Sequence, residues 1–294
     1  MKGLSAVLAL KISIPFAILF SLGFILKPDS ALDRYGFLAK PDDTGSWRGK
    51  KVSPPAEEVA VLQALIQLTG LAMLGWVSLF MPIVRKGDEA TAKIVCALLT
   101  LTRVPLVYTV LNSGNDALVK QAPLNVLLLI VSAAGAFSTG KPKIAVPKLD
   151  KIGASGKAML GTAAIGVVSI LPAVLNPASH MIKFSAEGHT FHPDITSAST
   201  LVVSIWSLIL LSGALGRVAV IIGGNKKTIY SVCRAVTGYF AMFSGFMVAY
   251  KTLASHTNST MLTIQTIVII GCNLATYFAC LIDDGEFKSA AKSK

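Results

Sequence analysis

An arginine set within an apolar run is the residue of this chain best placed to do chemistry. Arg103 lies in Leu101-Thr102-Arg103-Val104-Pro105. An ionisable group in hydrocarbon is costly enough to mark a ligand, lipid or partner site by default. Helical rise puts it roughly 17 Å from a helix start near Ala92 and about 13 Å below the far surface of a core about 30 Å thick. On the preceding helix, Gln67 reaches a depth of roughly 13 Å below that same surface. The short connection makes the two helices antiparallel neighbours, so the sequence predicts a hydrogen bond between Gln67 and Arg103, with Gln63 one turn outward on the same face. Pro105 adds an acceptor by displacing the carbonyl of Leu101. Asn273, beside Cys272 near the middle of the last apolar run, is the third candidate. Its simplest role is an interhelical hydrogen bond. Arg103, Gln67 and Asn273 are therefore the ligand-binding candidates. No Asp or Glu is read inside a span, which leaves Arg103 to an anionic ligand, an inward-drawn headgroup or a partner's carboxylate. The structural reading, satisfaction by amide and carbonyl oxygens, weighs slightly more.

Other constellations are weaker. His180, His189, His192 and Asp194 are of the right types for zinc or copper, but the H-E-x-x-H spacing is absent and Pro193 interrupts helix. Solvated histidines and no metal are expected. Asp42-Asp43 reads as a turn, because calcium needs a spaced series of oxygen ligands. No span contains histidine, which excludes a haem held by axial histidines between helices. No Ser-His-Asp arrangement, phosphate-binding glycine loop or intramembrane acidic pair is present, so no catalytic residue is predicted and no cofactor is named. Arg217 and Arg234 are expected to reach the inner surface from near helix ends. The sequon at Asn258 lies too close to the bilayer to be used.

The elements that must position these groups are apolar runs. With 53% hydrophobic and 14% charged residues among 294, the chain has too little polar surface for a water-soluble globule. Runs long enough to cross a bilayer fall at 6–26, 59–84, 94–111 and 124–138, then at 158–175, 198–220, 230–250 and 261–282. The fold class is all-α: a polytopic membrane protein of eight transmembrane helices. The first run is kept as a helix rather than a cleaved signal, since Lys11 interrupts it and no clean cleavage site follows. In the first loop, Asp29 to Phe37 suggests a short interfacial helix stopped near Gly36, with Trp47 at headgroup depth.

Two halves repeat the same order of features. Ile25-Leu26-Lys27-Pro28-Asp29-Ser30 is answered by Val174-Leu175-Asn176-Pro177-Ala178-Ser179, and Val95-Cys96 with Thr100 by Val232-Cys233 with Thr237. Phe240 stands where Arg103 does. The predicted organisation is two parallel four-helix repeats, residues 1–138 and 158–294, joined by a basic linker at 139–157. Small residues at packing spacing, Ser132 with Ala136 and Ala158 with Thr162 and Gly166, let helices approach closely.

The net charge of +12 is spread over alternate loops rather than along one arm, which argues against nucleic acid and places both termini on the cytoplasmic or equivalent inner side. The four cysteines lie in spans, so no disulfide framework is implied. The chain is expected to be non-catalytic: an accessory or structural subunit whose partners are membrane lipids and other membrane protein subunits. The alternative is a transporter or a small-molecule or lipid-binding bundle with its site around Arg103 and Gln67.

Overall fold

The computed structural model describes residues 4–37, 56–138, 151–184, 193–253 and 258–292, and all regular elements among them are α-helices. In chain order these are α1 (Ala6–Leu26), α2 (Pro28–Arg34), α3 (Ala56–Lys86), α4 (Glu89–Leu111), α5 (Asp116–Val119) and α6 (Ala122–Ala136). The series continues with α7 (Gly153–Leu175), α8 (Pro177–Phe184), α9 (Pro193–Gly223), α10 (Lys226–Leu253) and α11 (Ser259–Lys292). Eight stretches are long and apolar enough to cross a membrane: α1, α3, α4, α5 with α6, α7, α9, α10 and α11. Trp47, Asp42, Asp43, His189, His192 and the lysines from Lys141 to Lys148 lie outside the described residues.

Local chemistry explains the boundaries. Ser5 caps α1 by accepting from the amide of Leu8, Asp88 caps α4 through Thr91, and Asn115 caps α5 through Leu118. Pro28 and Pro177 each open a short helix one residue after a long one ends, which places α2 and α8 at matching points of the chain. The turn after α2 stops at Gly36, whose φ of 61° suits glycine. Asn258 is a helix cap, its side-chain oxygen accepting from the amides of Thr260 and Met261.

Two boundaries differ from the sequence reading. The stretch from Gly153 to Lys157, expected in the linker, is the first turn of α7. The last helix continues past Ile282 to Lys292, so an acid does lie in a spanning element: Asp283 is 1% exposed. Its two oxygens accept from the amides of Ala154 and Ser155 at 3.0 and 2.9 Å. Ile152 offers α7 no side-chain cap, and a carboxylate from another helix takes that place. Glu89 does the same for α1, accepting from Ala6 at 2.5 Å and Val7 at 3.2 Å.

Packing centres on α3 and α9, the two most buried spans, which lie against each other. Around them α1 packs on α3, α4 and α6, while α7 packs on α9, α10 and α11. The longest contacts of α4 are with α6 and α9, and those of α10 are with α11 and α3. Hydrogen bonds gather at one end of the bundle the starts of α1, α4, α7 and α10 with the last turns of α11. These include Thr228 Oγ1 to Asp88 at 2.7 Å and Lys226 to Glu286 at 2.6 Å.

Candidate ligand-binding site

This packing decides where the arginines sit. Although α3 and α4 follow one another in the chain, they touch only briefly, and α9 packs against both. The expected Gln67–Arg103 hydrogen bond is accordingly not formed. Gln67 donates through Nε2 to the carbonyl of Ile25 on α1 at 3.0 Å, and Gln63 donates to Asp29 on α2. Asn273 is half-buried on α11, and its carbonyl accepts from Thr276. The three predicted site residues are not brought together.

Arg103 itself is buried, 4% exposed, in the middle of α4. It donates to the carbonyl of Leu128 on α6 and lies 5.6 Å from the centroid of the Trp76 ring. The carbonyl is a partner of the kind the sequence reading expects; the aromatic face is not part of that expectation. Trp76 is fixed in turn by an Nε1 hydrogen bond to Ser212 Oγ at 2.6 Å. Arg103 borders a cavity of about 90 Å³ walled by Phe16 and Phe20 of α1, Trp76 of α3, Asn125 of α6 and Ile209 of α9. Neither Gln67 nor Asn273 lines it.

The arginine that sequence reading misplaced is Arg217. Expected to reach the surface, it is 7% exposed and lies against α7, where Nη2 donates to the carbonyl of Thr162 at 3.1 Å. Gly166 allows this approach, since a Cβ there would stand 3.1 Å from Nη2. The guanidinium is 5.4 Å from the centroid of the Phe240 ring. Its Nε is buried with no hydrogen-bond partner among the described residues. The sequence signal was Gly223-Gly224: the helix end they mark leaves Arg217 roughly 9 Å inside α9. Arg234 is exposed, near the Tyr230 ring.

Arg217 lines a second, larger cavity of about 400 Å³ between α3, α7, α9, α10 and α11, with α8 at one end. Along α3 its wall runs from Val61 to Leu79, roughly 27 Å by helical rise. Leu68, Ala72, Val236, Phe243 and Ile269 make the middle apolar. Polar groups stand at two heights. Arg217 is nearer the end where α10 begins. Trp206, whose Nε1 has no hydrogen-bond partner among the described residues, stands roughly 16 Å away along α9. Beside Trp206 are His180, its ring centroid 6.4 Å from the indole, and Lys183. Burial first, and Lys183 second, hold the His180 imidazole below its ordinary range. Four of the lining residues, Ile165 and Val168 of α7 with Ile264 and Val268 of α11, are exposed rather than enclosed. The cavity therefore has a lateral, apolar mouth.

The two cavities use corresponding positions. The spacing that takes Val95 to Val232 also takes Ile66 to Val203, Thr69 to Trp206, Met73 to Leu210 and Trp76 to Gly213. The first of each pair lines the smaller cavity and the second the larger. The spacing between the two helix-ending Leu26 and Leu175 takes Phe16 to Ile165, Ala17 to Gly166 and Phe20 to Ser169, again from one wall to the other.

Among the described residues no group of three or more His, Cys, Asp or Glu side chains is placed to hold a metal ion, and all four cysteines are free and buried. What the larger cavity offers is an apolar passage with one cation at depth. Comparison of the chain with models of protein families, with curated proteins and with solved structures returns no match.

Proposed function

We propose that this chain is a non-catalytic membrane protein that binds a hydrophobic small molecule or lipid in the larger cavity, admitting it from the bilayer between α7 and α11. The observation that carries this reading is the cavity itself: about 400 Å³ of mostly apolar space, against about 90 Å³ in the smaller cavity. A purely structural bundle gains nothing from leaving such a space, because unfilled volume forfeits the dispersion contacts that hold membrane helices together. The site is thus placed around Arg217 rather than around Arg103 and Gln67.

The architecture proposed with it is a tandem duplication of four spanning helices in parallel orientation. Support comes from equivalent details in both halves. Cys96 and Cys233 are fully buried, and each thiol donates to a carbonyl of another helix, Ala6 and Thr276 respectively. Thr100 and Thr237 donate to those cysteines' carbonyls at 2.8 and 2.9 Å. Asp88 and Asn225 cap α4 and α10 in the same manner. Alternating loop charge places both termini on the inner side.

An accessory-subunit role draws on the apolar outer faces of α6 and α11, where Leu127, Ile130, Ile267 and Phe278 are exposed. Lipid alone would cover those faces. Size analysis and mass spectrometry of material purified in mild detergent separate the two readings. A lone particle carrying a co-purified lipid or hydrophobe, lost in Gly213→Phe, supports the binding role. A fixed assembly with other polypeptides and an empty cavity contradicts it.

A further inference from the structure

We infer that the ligand of the larger cavity is a single-chain amphiphile with an acidic head group, a carboxylate or phosphate monoester, held by Arg217 with its chain running toward Trp206. This rests on the proposed binding role and adds the chemistry of the head group. Among the described residues Arg217 makes one hydrogen bond, to the carbonyl of Thr162, and its enclosed Nε meets no acceptor. A guanidinium keeps its charge in any accessible environment, and its forked donors match a carboxylate or phosphate edge. Buried charge left without a counter-ion is costly, and no salt bridge recorded for the described residues involves Arg217. Asp283, the buried acid of α11, is engaged by the amides of Ala154 and Ser155.

Geometry orients the rest of the molecule. The cation lies well inside α9, so the acid must enter the bundle to reach it, and the wall between it and the polar end at Trp206, His180 and Lys183 is mostly apolar. The space is open at Gly213, one turn from Arg217, where a Cβ would meet nothing within 4 Å. The exposed isoleucines and valines at the mouth, Ile165, Val168, Ile264 and Val268, are the surface an acyl chain would slide past from the membrane.

The test uses the full chain in neutral detergent and a fatty acid carrying bromine on its chain, which quenches nearby tryptophan. Trp206 lines the larger cavity, and Trp206→Phe identifies its share of the signal. The probe is compared with the alcohol of the same brominated chain. The expected result is that the acid binds at least about tenfold more tightly than the alcohol. Arg217→Gln should bring the acid down to the alcohol's affinity and leave the alcohol unchanged. Inorganic phosphate at the same concentration should fail to compete, whereas an alkyl phosphate should compete. Equal binding of acid and alcohol by the unaltered protein would overturn the head-group assignment while leaving the hydrophobic site standing, and that comparison needs no variant to fold. An acid preference that survives Arg217→Gln would also overturn it, as would full competition by inorganic phosphate. If neither probe quenches Trp206, the cavity-binding reading fails with it.

Discussion

The two cavities of this bundle are built from corresponding positions and have opposite contents. In the smaller one, Phe16, Phe20 and Trp76 occupy the space, leaving about 90 Å³. At the matching positions of the larger one stand Ile165, Ser169 and Gly213, and about 400 Å³ is open. The arginines are exchanged as well: the spacing that takes Arg103 to Phe240 takes Phe80 to Arg217. One arginine stacks near an indole beside filled space, the other near a phenyl ring beside empty space. On the proposed duplication, a few large-to-small differences at matching positions decide which half has room for a guest.

The most damaging way to break the comparison is to empty the filled side. Trp76→Ala removes the indole that faces Arg103 and donates to Ser212, and is expected to cost about 3–5 kcal/mol of stability, read from unfolding in detergent. It should also open a second binding space beside Arg103, visible as a second bound probe per chain. The converse change is Gly213→Phe, which puts an aromatic ring where Trp76 stands in the other half. Binding in the larger cavity should weaken by more than tenfold, about 1.4 kcal/mol or more, with the melting temperature unchanged or raised, because the helix gains over glycine and the space is open.

Smaller effects sharpen the same contrast at the bundle's end. α1 has its own Ser5 cap in addition to Glu89, whereas among the described residues α7 is capped by Asp283 alone. Asp283→Asn should therefore cost about 1–2 kcal/mol, and Glu89→Gln less, measured by the same unfolding assay.

The smallest effect is the pH response of His180. Its folded value lies below the unfolded one, so the folded state binds fewer protons. The neutral ring's contribution is complete above the unfolded value of about 6.5 and is lost as pH falls below it through the folded value. His180→Gln should flatten that slope in melting temperature.

Much of this frame was legible in the amino-acid sequence. The bounds of the first span follow directly from its apolar run, and the short helix after Pro28 and the placement of the four cysteines within spanning helices are legible in the same way. What escaped depended on which helices touch. Gln67 and Arg103 were paired because sequence neighbours in membranes usually pack together. Here α9 packs against both of their helices, so each polar group finds a carbonyl elsewhere. Gly223-Gly224 set Arg217 roughly 9 Å from the end of α9, but the face it occupies depends on α7 and α10 lying beside it, which the order of residues does not reveal. Asp283 sat one residue beyond the last apolar stretch, and its part in starting α7 joins segments far apart in the chain. The open volume at Gly213 had no sequence signal of its own, since glycine is frequent in membrane helices for packing reasons as well.

The account turns on the larger cavity being a place where a molecule from the bilayer resides. The most direct measurement is photolabelling of the protein in lipid nanodiscs with a diazirine-bearing fatty acid, followed by mapping of the modified residues. Labels on the inner wall, at Gly213, Val236 or Ile269 together with Ile165 or Ile264 at the mouth, are predicted. Labels confined to outward residues such as Leu127, Ile130 and Ile267, with the inner wall clean, would contradict it.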